Sequence, residues 1–267
     1  MTAAIERAAC FEPVELDLLA THAGVRFPFP LRVPSFGRFA DERDALLASA
    51  GHTLCARGLA TDEGPVGVAD ELVRALREYR GAVDLVVVGG GVEIGAVAMV
   101  YGDRAVVCNQ SHDGQAVQVT VVEATALEDE LAGLIPAVRA AVTMPVTLPP
   151  GVVDSAMRLL ADTPDTTDAD DVTRRRVREL VRAYGGDEAV VDRLVQLFPA
   201  VTGRGQLGVV RRSGGDAVTR PCEVSWLDSA RGRVRVDHGD GGWVSVNPLR
   251  HSDLVRVLGE IAAIARA

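Results

Sequence analysis

The chain has no lysine: all 28 of its basic residues are arginine, so a Walker A phosphate loop, which needs its lysine, is excluded. Cysteine is scarce. Cys10, Cys55, Cys108 and Cys222 lie far apart with no C-x-x-C pair, and this spacing supports neither a zinc knuckle nor a disulfide framework. Positive charge is in deficit, with 28 basic against 37 acidic side chains and a formal charge of −9. Nucleic-acid binders work by releasing counterions from a basic stripe, and a net acidic chain repels phosphate backbones and anionic lipid alike. Long apolar runs are also missing. One of the most apolar pieces, Leu85 to Val88, stops at three glycines, well short of the roughly 20 residues a spanning helix requires. The first residues, MTAAIERAACFEP, show no apolar core and no small-residue cleavage site, so no signal peptide is expected and the predicted location is the cytoplasm.

What remains is ordinary globular composition: 267 residues, 48% hydrophobic and 24% charged, enough to bury a core as one large or two small domains. Phe27-Pro-Phe-Pro-Leu-Arg-Val-Pro34 is predicted extended, because proline biases the residue before it away from the helical region. Beyond Gly37, residues Ala45, Leu46, Leu47, Ala50, Leu54 and Cys55 fall at helical spacing, and Gly58 is a suitable stop. Val68 to Tyr79 repeats the pattern, so an αα-hairpin is expected. The period then changes to two. Asp84–Val88, Glu93–Val100, Arg104–Cys108 and Ala116–Val122 read as strands of an antiparallel meander with turns at 102–103 and 112–114. A helix from Leu127 to Arg139, kinked near Pro136, is expected to close it.

Pro145, Pro149, Pro150 and Gly151 mark the clearest break in the chain. Helices are predicted over 152–160, 172–184 and 188–198, then strands at Gly205–Arg211, Cys222–Leu227, Arg233–Val236 and Trp243–Val246, then a helix from Leu249 to Ile264. Laying Val97–Ala137 over Val224–Ala263 matches strand, turn, strand, hairpin, strand and helix in order. The chain therefore reads as an internal duplication with halves 1–144 and 145–267, of α+β class. Neither half can cover both faces of its sheet alone, so the halves are expected to pair about a pseudo-twofold axis in one continuous antiparallel sheet flanked by two helical bundles.

Catalytic chemistry finds little footing. Gly89, Gly90 and Gly91 follow a strand, but a dinucleotide fingerprint beginning at Gly89 places its third glycine at 94, which is isoleucine; a glycine hairpin fits better. The acidic run Asp162, Asp165, Asp168, Asp170 and Asp171 has no EF-hand register and reads as a solvated loop and helix cap. Asp237-His238-Gly-Asp240 and His112-Asp113 sit in turns where such residues are common. No serine lies in a nucleophile elbow. No catalytic, cofactor-binding or metal-binding residue is assigned, and no cofactor.

Two stretches carry a family resemblance. Pro28-Phe-Pro-Leu-Arg-Val-Pro-Ser-Phe-Gly-Arg38-Phe-Ala-Asp-Glu42-Arg43, followed by a helix into Ala56-Arg-Gly-Leu59, resembles the N-terminal region of the EspG family, cytosolic chaperones of type VII (ESX) secretion in actinobacteria. Gly205-Gln-Leu-Gly208, Val224-Ser-Trp226-Leu-Asp228-Ser-Ala-Arg-Gly232-Arg233 and Trp243-Val-Ser-Val-Asn-Pro248 resemble the W-x-D-T-x-x-G-R region of the same family, with Ser229 in place of threonine. The resemblance spans nearly the whole chain as a single domain of two similar halves. It implies a non-enzymatic chaperone, a monomer or weak homodimer when free, that binds a PE/PPE-like heterodimer, keeps it soluble and delivers it to the secretion machine. Such a surface needs buried anchors and a polar rim. Trp226, Trp243, Arg231, Arg233, Gln206 and Ser225 are the partner-binding residues expected, with a sheet face left uncovered by helices as the platform. An uncharacterised interaction scaffold, or a small-ligand or nucleotide-binding enzyme using the Gly89–Gly91 hairpin, are the alternative classes.

Overall fold

The computed structural model describes residues 7–111, 116–148, 150, 151, 175, 176, 179, 182, 183, 201–212 and 218–267. The helices expected over 152–160, 172–184 and 188–198, and the turn at 112–114, lie outside the described residues or are described only at isolated positions. The strands are β1 (Ala8–Phe11), β2 (Ala60–Thr61), β3 (Gly64–Pro65), β4 (Gly81–Gly89), β5 (Val92–Tyr101), β6 (Arg104–Ser111), β7 (Val117–Glu123), β8 (Val146–Leu148), β9 (Val201–Arg212), β10 (Val218–Ser229), β11 (Gly232–His238) and β12 (Val244–Pro248). Among the described residues there are five α-helices: α1 (Pro13–Ala23), α2 (Ala40–Ala56), α3 (Val68–Glu78), α4 (Leu127–Ala132) and α5 (His251–Arg266).

Ten strands make one sheet in the order β1-β7-β6-β5-β4-β9-β10-β11-β12-β8, and every pairing between strands in it is antiparallel. The expected meander β4 to β7 is present. So is the second one, β9 to β12. They join through β4 and β9, whose register sets Leu85 opposite Leu207 and Val86 opposite Gln206.

A strand points alternate side chains to opposite faces, and both faces of the centre are used. On one face Leu85, Ala98, Leu207, Val224 and Trp226 pack under α4 and α5. On the other, Val97, Met99, Val106, Cys108 and Val117 pack under the layer that includes Leu16, Leu54 and Leu72 of α1, α2 and α3. Double coverage explains why the middle of β5, residues 96–100, reads as a continuous apolar run rather than an alternation.

Three features differ from the sequence expectation. The αα-hairpin is a three-helix layer, because α1 packs against both α2 and α3. Edge strands β1 and β8 border the sheet outside the two meanders. The helix expected to reach Arg139 ends at Ala132. Beyond Gly133 the chain passes into a segment whose residues 139–141 bond the backbone of Arg233, which Pro136 permits because it cannot continue a helical hydrogen-bond ladder.

Candidate functional site

The first signature stretch binds helices to one another. Asp17 and Glu15 of α1 are buried carboxylates, 5% and 1% exposed, and each is met by an arginine distant in sequence. Arg43 reaches both oxygens of Asp17 at 2.7 and 3.0 Å, and its Nη1 also donates to the Phe36 carbonyl at 2.8 Å. Arg57 donates to both oxygens of Glu15 at 2.8 Å, bonds the Cys10 carbonyl on edge strand β1 and lies over the Phe11 ring. Burial pushes the Asp17 carboxyl up, but the hydrogen bonds from Arg43 and the Phe36 N–H, with the charge of Arg43, outweigh it and hold the group below its usual 3.8. Gly37 has φ +84, and a Cβ there would stand 2.6 Å from the Arg43 backbone. The Gly37-to-Arg43 spacing in the motif is thus a packing requirement.

The second signature stretch is also a structural knot. Trp226 is 1% and Arg233 0% exposed. Arg233 holds Asp228 through two hydrogen bonds of 2.6 and 2.9 Å and stacks on the Trp226 ring at 5.2 Å. Trp226 fills the space above Gly205, where a Cβ would collide with the indole. At the turn, Ser229 Oγ donates to the Gly232 carbonyl at 3.0 Å and accepts from the Arg231 N–H at 3.2 Å. Gly232 has φ +121, and a Cβ there would lie 2.6 Å from the Ala141 nitrogen. The adjoining bonds from the Arg233 N–H to Arg139 and from the Ala141 N–H to Arg233 strap residues 139–141 over this turn. Trp226 and Arg233 are therefore closed into the fold of the free chain, because a cation and an indole on neighbouring strands satisfy packing there rather than face solvent.

Gln206 and Ser225 lie on the other face. They are register partners of each other, and Gln206 also pairs with Val86. One row along stand Glu93, Val88, Arg204 and Leu227. Val86, Val88, Gln206, Ser225 and Leu227 are half-buried and Arg204 is exposed. Among the described residues no helix covers this strip: α3 packs over β5, β6 and β7, and α4 and α5 occupy the opposite face. Toward the other end of the strands the face is locked by Asp84, 2% exposed, which Arg220 grips at 2.9 and 2.7 Å. The guanidinium crosses directly above Gly208 and also bonds Glu223. The result is a half-open apolar strip at the middle of the sheet, and upon it the amide of Gln206 and the hydroxyl of Ser225 have no side-chain hydrogen-bond partner among the described residues. Gln206 and Ser225 are two of the six contact residues expected from the sequence; Val86, Val88 and Leu227 were not among them, and strand parity places them beside the two.

The remaining expected residues fall elsewhere. Trp243 is 48% exposed, just before β12, and Arg231 is exposed in the β10–β11 turn. The six expected contact residues thus separate into a buried pair, a pair on the half-open strip and two exposed turn residues. Gly89, Gly90 and Gly91 have φ of +123, +64 and +78 and form the hairpin between β4 and β5. A strand follows them directly, so no helix N-terminus is available there to receive a phosphate. Burial pushes the Cys108 thiol up to about 12, which removes it as a nucleophile at neutral pH. Among the described residues no three His, Cys, Asp or Glu side chains are grouped to hold a metal, and no helix is long and apolar enough to cross a membrane.

No curated protein matches the chain. Among solved structures it is similar to the Mycobacterium tuberculosis type VII secretion system chaperone EspG5, determined in complex with a PE25-PPE41 dimer, with a TM-score of 0.63 and 14% identity over 97% of this chain and 96% of that one. At that identity the likeness speaks for the fold, and the family model supplies the rest. It matches residues 12–260, a span that holds both signature stretches and nearly the whole sheet, and the chain therefore belongs to the EspG family.

Proposed function

We propose that the chain is a non-enzymatic chaperone of type VII secretion that binds a PE/PPE-like heterodimer in the cytoplasm, keeps it soluble and delivers it to the secretion machine. The observation that carries this reading is the family match over residues 12–260. The half-open strip of Val86, Val88, Gln206, Ser225 and Leu227 is the contact surface in this proposal. Its apolar floor and the polar groups of Gln206 and Ser225 have the composition of an interface core, and loops on a rigid scaffold, here the Gly89–Gly91 hairpin and the Trp243 turn, extend it. Trp226, Arg233, Asp228 and Gly232 hold the sheet beneath that surface. In this reading Trp243 and Arg231 are rim contacts.

The same reading takes the chain as an internal duplication of halves 1–144 and 145–267. Strand order supports it: outward from the β4–β9 pair, each side runs through a consecutive four-strand meander and then an edge strand that precedes that meander in sequence. The helices that follow the meanders, α4 and α5, share one face, as a twofold axis perpendicular to the sheet requires. A helical bundle on each half, and a free chain that is monomeric or weakly dimeric, complete the proposal.

Co-expression with each PE/PPE-like pair of the same genome tests it, with capture through a tag on the pair and mass measured by light scattering. One soluble stoichiometric complex is the expected product. A well-folded chain that captures none of the pairs contradicts the proposal.

A further inference from the structure

Among the described residues four buried side-chain atoms have no hydrogen-bond partner: Asn109 Oδ1, His251 Nδ1, Trp226 Nε1 and Arg233 Nη1. Two of the four belong to one stacked pair. Trp226 is 1% and Arg233 0% exposed, and the guanidinium carbon lies 5.2 Å from the centre of the indole. Buried polar groups of folded chains are satisfied by protein or ordered solvent in the great majority of cases, and both groups here are donors with no acceptor capacity. What the pair lacks is an acceptor.

The neighbouring protein acceptors are already committed. Asp228 takes the Arg233 Nε and Nη2 protons at 2.6 and 2.9 Å, so Nη1 is the one guanidinium nitrogen it leaves over. The Arg233 carbonyl accepts from the Ala141 and Leu249 N–H groups at 3.0 and 3.1 Å, while Ser229 Oγ donates to the Gly232 carbonyl and accepts from the Arg231 N–H. The indole is held as firmly. Its Cζ2 and Cε2, the latter bonded to Nε1, lie 2.0 and 2.2 Å from where a Cβ of Gly205 would stand, and Leu254 and Leu258 of α5 belong to the same buried cluster. Stacking is no substitute for an acceptor, because the indole N–H lies in the plane of the ring and the cation stands over its face.

We infer that the Trp226–Arg233 pair holds small hydrogen-bond acceptors, water or a halide ion, at Nε1 and Nη1. Burial sets their size: at 1% and 0% exposure neither nitrogen is open to a carboxylate or phosphate carried by a larger molecule. Charge balance favours water, since Asp228 already neutralises Arg233 and a halide brings an unmatched negative charge into the core. The site lies on the face of the sheet opposite Ser225, so it is separate from the contact surface proposed above.

The test uses the full chain labelled with nitrogen-15, whose two tryptophans give two indole N–H resonances, assigned through Trp243→Phe. Water is the expected occupant: the Trp226 indole proton then shows a cross-peak to a long-lived water molecule and does not move when chloride is exchanged for bromide. A halide instead shifts that resonance on exchange and gives no water cross-peak. Crystals grown in bromide supply the second reading, an ordered peak within about 3.5 Å of Nε1 or Nη1 that carries anomalous signal for bromide and none for water. Either occupant supports the inference. It is overturned by an indole proton with neither cross-peak nor bromide shift, together with a crystal in which no ordered non-protein atom lies within that distance of either nitrogen.

Discussion

Replacing Arg233 by methionine removes one partner of a buried ion pair, and the structure sets the size of the effect. The guanidinium is 0% exposed and its partner Asp228 has 13% of its side chain accessible. Breaking a fully buried pair costs about 3–5 kcal/mol, because the surviving charge stays behind unpaired. The partial access of Asp228 places this case near the lower limit, about 3 kcal/mol. Loss of the stacking on Trp226 adds about 1 kcal/mol, which the methionine stem partly recovers by packing. For a chain of this length each kcal/mol lowers Tm by roughly 2–4 °C, so a total of about 3–4 kcal/mol means that Arg233→Met is expected to melt roughly 6–16 °C below the unaltered protein. Asp228→Leu combined with Arg233→Met leaves no buried charge and is expected to be more stable than Arg233→Met alone. Scanning calorimetry or fluorescence melts supply the numbers, and a pull-down at a temperature where every variant is folded supplies the comparison. An Arg233→Met protein that melts normally but no longer binds its partner would refute the structural role derived for the W-x-D-S-A-R-G-R motif.

Other expectations follow from the same geometry. Gly232→Ala forces a Cβ at φ +121 within 2.6 Å of the Ala141 nitrogen, so it is expected to cost more than about 1 kcal/mol and to raise amide exchange at Ala141 and Arg233. The Asp17 carboxyl titrates lower in the folded chain than its ordinary 3.8. Its contribution to stability is therefore complete above pH 3.8 and lost as pH falls through the lower folded value; melts below pH 4 should steepen for the unaltered chain and lack that component in Asp17→Asn. Thiol titration should find Cys10 and Cys55 reactive in the folded state, both being exposed, and Cys108 silent until unfolding, because burial lifts it to about 12.

The meanders were legible because a period of two survives wherever strands end at glycine: Gly89 to Gly91, Gly102 and Gly232 punctuate them where the structure turns. Helix α1 was not legible. Glu15 and Asp17 interrupt its apolar face and are buried only because Arg57 and Arg43 arrive from 42 and 26 residues away. Periodicity cannot register such a pairing. Strand β1 depends likewise on β7, with Phe11 opposite Val117. The candidate strip was legible only in Gln206 and Ser225. Ser225 and Trp226 are consecutive in one strand and necessarily face opposite ways, so they never formed one surface. Which of them met solvent was decided by α4 and α5, which pack on the Trp226 face and are tertiary neighbours that no local pattern announces.

The account stands or falls on which face of the sheet takes the partner, and one titration decides it. The affinity of the captured pair is measured for Ser225→Arg, which crowds the half-open strip, and for Arg235→Glu on the opposite face, whose side chain is 34% exposed and paired with Asp237. The expected result is at least a tenfold rise in Kd for Ser225→Arg and less than a twofold change for Arg235→Glu, with both melting as the unaltered chain does. Normal binding by Ser225→Arg together with its loss in Arg235→Glu would place the partner on the other face and contradict the account.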